Sequence, residues 1–301
     1  MHKTSLYSYT KQELITLFAI RFGEDKSVFR ARAVFRALYK NEGELFGEQS
    51  LLSLNVQAFL RENYELENQV IVEEAHISSQ DSSVKFVLKL QTDNTRIEGI
   101  LIPERGRLTL CVSSQVGCLR GCRFCQTGRM GLLRNLETHE IIGQVLAVQQ
   151  WMHKNKSKFT GNATIHEQCR EKTLWKSQQI TNIVFMGMGE PLDNLSSVLK
   201  STNIFCDGQA FNLSHHKVTV STVGVLDKVQ EFLTQSPVSL AFSLHSPFDA
   251  ERTRMIPTNT NNPLEKLVDT LKNALDNGLR KSFLIQYTLI RGVNDSLEHA
   301  L

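Results

Sequence analysis

No stretch of about 18 apolar residues occurs in the 301-residue chain, so no helix is expected to cross a membrane. The start, MHKTSLYSYTKQEL, has no apolar core long enough for a secretory signal. The chain is therefore expected in the cytoplasm. No strong charge of one sign is present either: 34 basic against 31 acidic residues leave +3. That balance allows a nucleic-acid partner without demanding one. Cysteines number only six, too few for a disulfide scaffold. Without an export signal they are expected to be reduced, so a tight cysteine cluster points to metal or redox chemistry. What is there is ordinary globular material, with 41% hydrophobic and 22% charged residues. Disordered and fibrous classes are excluded, and the chain is long enough to bury a sizeable core.

The first hundred residues differ from the rest. Helical apolar spacing over 10–21 puts Leu14, Leu17 and Phe18 on one face. The pattern over 26–40 turns Phe29, Ala33, Val34 and Leu38 inward and leaves Arg30, Arg32, Arg36 and Lys40 elsewhere. Strand-like runs follow at 70–76, 84–90 and 96–102, separated by turn-formers. Beyond Arg107 the rhythm is strand–helix alternation, with strands at 107–113, 181–189, 217–224, 238–246 and 283–290. Helices are expected at 138–153, 195–205, 225–233 and 263–277, the last capped by Asn262 and ended by Gly278. This is the pattern of a parallel sheet or barrel. The fold class is therefore α/β, with a small N-terminal α+β domain over 1–100 and a (β/α) barrel unit over 101–301. The polar run 154–179 reads as a surface excursion. The strand at 283–290 would be an uncovered parallel edge, so the C-terminus is expected to be cut short.

The strongest signal is GCLRGCRFC, which places Cys118, Cys122 and Cys125 in a C-x3-C-x2-C spacing. Three thiolates within eight residues can wrap one face of an inorganic centre. A structural zinc would need a fourth ligand from far away, such as His139, Cys111 or Cys169. A [4Fe-4S] cluster held by three cysteines leaves one iron open. Both readings stand on spacing alone.

C-x3-C-x-F-C at the end of the first strand of such a repeat resembles the radical S-adenosylmethionine (SAM) superfamily. Together with TLCVSSQVGC at 109–118, FMGMGEP at 185–191, VTVST at 218–222, SLH at 243–245 and GVNDSLEHA at 292–300, it resembles the RlmN/Cfr group of RNA adenine methyltransferases. The resemblance implies a partial (β/α) barrel of the radical SAM type. It implies a [4Fe-4S] cluster on Cys118, Cys122 and Cys125, with SAM contacted by Gly189, Glu190, Ser221, Ser243, Leu244 and His245. It implies methylation of adenine carbon-2 in 23S ribosomal RNA and transfer RNA, supported by a reductant such as flavodoxin or ferredoxin, in a monomer. Carbon-2 is electron-poor, so a radical route suits it. In the group, a 5′-deoxyadenosyl radical takes a hydrogen from a methyl carried on a C-terminal cysteine. The carbon radical adds to the base, and a second cysteine resolves the adduct with formation of a disulfide. Cys111 matches that resolving cysteine and Glu98 the proton acceptor.

The resemblance places the methyl-carrying cysteine beyond residue 301, together with a final barrel strand and another SAM-contacting asparagine, and the unassigned Cys169 and Cys206 lack that context. A Cfr-like enzyme acting on carbon-8, or a catalytically incompetent RNA-binding remnant, are the alternatives. For RNA contact the candidates are Arg30, Arg32, Arg36 and Lys40 on one helix, equally readable as a solvated face. Arg120, Arg123, Arg129 and Arg134 around the cysteines form a second set.

Overall fold

The computed structural model describes residues 3–40, 45–104, 106–156, 179–280 and 282–301. The N-terminal part carries a two-residue strand β1 (Thr4–Ser5) and helices α1 (Lys11–Phe22), α2 (Ser27–Lys40) and α3 (Leu54–Asn63). Strand β2 (Tyr64–Glu65) pairs with β1. A meander follows: β3 (Val70–Ile77), β4 (Val84–Leu90) and β5 (Arg96–Glu104). Then come β6 (Arg107–Cys111), the hairpin β7 (Gln115–Cys118) and β8 (Gly131–Asn135) with α4 (Gln126–Arg129) between them, and α5 (Thr138–Lys154). The repeat continues through β9 (Asn182–Phe185), α6 (Leu195–Cys206), β10 (Val218–Thr222) and α7 (Leu226–Gln235). It closes with β11 (Ser239–Ser243), α8 (Asp249–Met255), α9 (Leu264–Asp276) and β12 (Leu284–Gln286).

One sheet of eight strands runs in the order β12-β11-β10-β9-β6-β5-β4-β3. Strands β6, β9, β10, β11 and β12 are parallel neighbours, while β3 to β6 are antiparallel. Sequence texture explains the split. In β4, VKFVLKL alternates buried and outward residues, as expected of a sheet with one covered face. In β10, VTVST is buried throughout, as a central parallel strand with helices over it must be. The sheet is open, with Leu284 and Ile285 exposed on its β12 edge. The fold is thus α/β, a partial barrel preceded by a small α+β portion. The β5–β6 pairing carries the sheet without a break across residue 100.

The core is continuous from Leu14 and Phe18 of α1 through Phe86 and Ile142 to Phe232 and Leu267. Phe86 and Trp151 meet edge to face at 5.0 Å, joining the meander to α5. Three expectations need correction. The buried face of α2 is centred on Ala31, Val34 and Phe35, so Phe29 points outward. Helices α3 and α8 were not foreseen: α8 has only seven residues, and α3 buries Val56, Gln57 and Leu60, a stripe broken by a polar residue. The first turn of α9 takes its cap from across the chain: the Leu264 N–H donates to Asp249 Oδ1 at 2.9 Å. Asn262 Oδ1 instead accepts from Leu226 N at 2.8 Å. Most of the expected excursion over 154–179, including Cys169, lies outside the described residues.

Candidate active site

The site lies at the carboxyl ends of the parallel strands, where open α/β sheets place ligands. One cavity there is lined by Cys118, Cys122, Cys125, Gly189, Glu190, Ser221, Ser243 and His245. Eight of the eleven sequence candidates thus converge. Leu244 does not join them; its side chain packs on the core, and its backbone continues the β11–β12 edge. Cys111 and Glu98 lie outside the cavity.

Local geometry explains the cysteine loop. Gly117 has φ 84°, and a Cβ there would lie 1.9 Å from the Gly131 carbonyl oxygen, so only glycine lets β7 and β8 close. The loop is then pinned by Cys125 N to Cys122 O at 3.0 Å and by Arg123 N to Met255 O at 2.9 Å. Cys118 and Cys122 are buried and Cys125 is half-buried. Burial, then the neighbouring thiolates, push the Cys122 thiol up to about 12. Burial likewise raises Cys118. Such thiols need a positively charged centre to ionise. Among the described residues, no three Cys, His, Asp or Glu side chains converge on a single-ion site. A zinc would draw its thiolates together at about 2.3 Å each, whereas an iron–sulfur cube gives each cysteine its own corner. The donor set, three cysteine sulfurs around one cavity, fits the cluster.

Glu190 is the buried acid of this cavity. Its Oε1 accepts from Leu192 N at 3.0 Å and its Oε2 from Val223 N at 2.9 Å. Burial outweighs these bonds and raises its pKa to about 7. No cationic side chain pairs with it among the described residues, so a ligand ammonium has a place to bind. Gly189, at φ 100°, lets the turn pass Gln115: a Cβ would sit 2.8 Å from the Gln115 nitrogen. Ser221 Oγ donates to Gln286 Oε1 at 2.8 Å, and Ser243 Oγ lies 3.3 Å from the same oxygen. His245 Nδ1 accepts from Thr288 N at 3.0 Å. That assigns the proton to Nε2. Burial, then Arg252, lowers the His245 pKa to about 4, so the ring is neutral at pH 7. Its edge meets Phe124 at 4.9 Å.

Cys111 lies beside the cavity, on the strand next to β9. It is buried on β6, hydrogen-bonded by the Met186 backbone, and pushed up to about 11 by burial. Met186 itself lines the cavity. Glu98, on the neighbouring β5, is half exposed and pairs with Lys85 at 2.7 Å. All five described cysteines are free, so the expected disulfide has no pair among them.

The arginine ring also needs correction. Arg120 forks onto Asp193, with Nε to Oδ2 at 2.6 Å. Arg134 forks onto buried Glu140 at 2.7 and 2.9 Å and reaches Asp93 at 2.7 Å. Arg120 ties the β7–β8 loop to the turn ahead of α6, and Arg134 ties β8 to helix α5; only Arg123 and Arg129 of the four stand exposed. On α2, Arg30 is engaged with the Asp25 carbonyl and stacks over Phe22. The sequence did not reveal Gln286, Asn294 or Arg252. Asn294 lay within a quoted motif, but nothing local marked its role.

Residues 112–301 match the radical SAM superfamily model, which sets the class of protein. A solved radical SAM methyltransferase from Sphaerobacter thermophilus superimposes with TM-score 0.77 and 29% identity, over 99% of this chain and 80% of that one. Two dual-specificity RNA methyltransferases RlmN are each 37% identical over 100% of this chain: one from Geotalea uraniireducens, matched over 78% of its length, the other from Ruthia magnifica, over 77%. The chain belongs to the RlmN family of radical SAM RNA methyltransferases. Membership implies a [4Fe-4S] cluster and SAM as cofactors. Among the described residues no helix is long and apolar enough to cross a membrane.

Proposed function

We propose that this chain methylates carbon-2 of adenine in 23S ribosomal RNA and in transfer RNA. The observation that carries the reading is the convergence of Cys118, Cys122 and Cys125 with the unpaired buried Glu190 in one cavity. Cys118, Cys122 and Cys125 would hold the cluster, which would supply the electron for reductive cleavage of SAM. Glu190 accepts from the SAM ammonium. Gly189 gives the backbone room, and Leu244 contributes main chain only. Ser221 and Ser243, ordered by Gln286, offer hydroxyls, and neutral His245 offers its Nε2–H. Cys111 is the resolving thiol, on the strand beside the one that leads to Met186, and Glu98 the proton acceptor on the adjoining strand. The target base must be presented edge-on, which favours loop or single-stranded RNA. A small reductant such as flavodoxin or ferredoxin serves a monomeric, cytoplasmic protein.

The test is anaerobic reconstitution, iron and sulfide analysis, then reaction with SAM, reductant and RNA, followed by nucleoside analysis. The expected product is 2-methyladenosine. Formation of 8-methyladenosine moves the chain to Cfr-like chemistry. A colourless protein that binds zinc and leaves SAM intact overturns the reading and supports a remnant.

A further inference from the structure

Arg252 is fully buried and makes no ion pair with a carboxylate among the described residues. Its fork is spent on neutral oxygens. Nε donates to the Leu244 carbonyl at 3.0 Å, and Nη2 donates to the carbonyls of Val223 at 2.6 Å and Ser243 at 3.0 Å. Nη1 donates to Asn259 Oδ1. The guanidinium lies over the Phe242 ring, 5.0 Å from its centre. Asn259 is held in turn by Asp249 and Thr253, at 2.9 and 2.8 Å. Burying a guanidinium with no carboxylate in direct contact is expensive; Asp249 acts on it only from beyond Asn259, and an aliphatic side chain would fill the same space at lower cost. What only a planar five-donor fork supplies is a fixed spacing between several acceptors.

Those acceptors are the backbone of the site. Val223, beyond the end of β10, gives its N–H to Glu190. Ser243 carries the hydroxyl beside Gln286. The Leu244 carbonyl belongs to the peptide that leads into His245, which stands at φ 59°. Beyond the last ladder bonds of a parallel sheet, strand ends have no regular partner to fix their separation. Here one side chain fixes it. Arg252 does not itself line the cavity.

Resting on the SAM-pocket reading above, we propose that Arg252 is a positioning residue: it ties the ends of β10 and β11 together and so sets Glu190, Ser243 and His245 at the spacing that SAM requires.

The experiment uses reconstituted wild type, Arg252→Ala and Arg252→Lys. It measures iron and sulfide content, circular dichroism, SAM affinity by equilibrium dialysis, and the change in the reduced cluster's paramagnetic signal when SAM is added. Both variants are expected to load iron like wild type yet bind SAM about 10- to 100-fold more weakly, the scale of losing hydrogen bonds to a charged group. Lysine keeps the charge but cannot span three carbonyls, so it should not rescue. Guanidinium at low millimolar concentration, far below denaturing levels, should restore part of the affinity to Arg252→Ala and none to Arg252→Lys.

Wild-type affinity in either variant overturns the proposal, as does the absence of rescue in a folded, iron-loaded Arg252→Ala. Failure of both variants to fold assigns Arg252 to the core and overturns it too. If wild type loads iron but does not bind SAM, the pocket reading falls first, and this proposal with it.

Discussion

Asn294 Nδ2 donates to the carbonyl of His245 at 2.6 Å, and His245 holds a left-handed φ of 59°. A residue with a Cβ pays about 1–2 kcal/mol for that conformation, so it persists only where its surroundings over-determine it. Asn294 also donates to Thr288 O at 2.8 Å and accepts from Ile290 N at 2.6 Å. One buried amide thus folds the chain after β12 back onto the histidine. Asn294→Ala should leave these groups unpaired and cost about 2–4 kcal/mol. Urea denaturation reads this as a lower midpoint with an unchanged slope. An unchanged midpoint would show that the turn is held by other contacts.

Gly117 and Gly131 lie diagonally across the β7–β8 hairpin, Gly117 opposite Leu132 and Gly131 opposite Cys118, and both have positive φ. Their tolerances should differ sharply. Gly117→Ala places a methyl against the Gly131 carbonyl, whereas a Cβ at Gly131 meets nothing within 4 Å. The first variant should lose more than about 2 kcal/mol together with most of its bound iron. The second should lose only about 1–2 kcal/mol, the cost of the backbone angle, and keep its iron. Iron per chain after reconstitution separates them; equal iron loss in both would refute the packing argument.

Cys122→Ser is expected to abolish the visible absorbance of the loaded protein, since a three-thiolate site has no spare ligand. Cys111→Ala and Cys206→Ala should retain iron and colour, because neither lines the cavity: Cys111 is buried on β6 and Cys206 ends α6. Loss of iron from Cys111→Ala counts against its assignment as the resolving thiol.

Burial by itself would raise the Glu140 carboxyl, but the Arg134 fork, the Glu137 N–H and the Thr92 hydroxyl together hold it below its ordinary value. The folded value is lowered, so this contribution is present above the unfolded-state pKa and is lost as pH falls through the folded one. Arg134→Met removes the partner and leaves a buried carboxylate. The variant should lose about 3 kcal/mol at neutral pH. Its deficit should shrink at acid pH, because a buried carboxyl stripped of Arg134 takes up a proton more readily than the paired one. Urea titrations of both proteins at neutral and acid pH decide this. A deficit independent of pH would mean that Arg134 acts by packing alone.

The amino-acid order by itself determined the layout. Apolar alternation marked β3, β4 and β5, continuous apolar runs marked the parallel strands, and 3.6-residue spacing marked α1, α5 and α6, because each is a local property of a few neighbouring side chains. It also determined the three-cysteine loop, since that spacing lies within eight residues. Tertiary structure decided the rest. Eleven candidate residues scattered from Glu98 to His245 were sorted into those that face one cavity and those that do not. Arg120 and Arg134 were committed to acids 73 and 6 residues away, as well as to Asp93, 41 residues distant. Arg252, in an unremarkable DAERTRM run, became a buried tie between strands 8 to 29 residues off. Short elements and long-range forks leave no periodic trace. Their partners are chosen by the packing of the whole sheet, and only after that packing exists do the carbonyls they bind lie within reach.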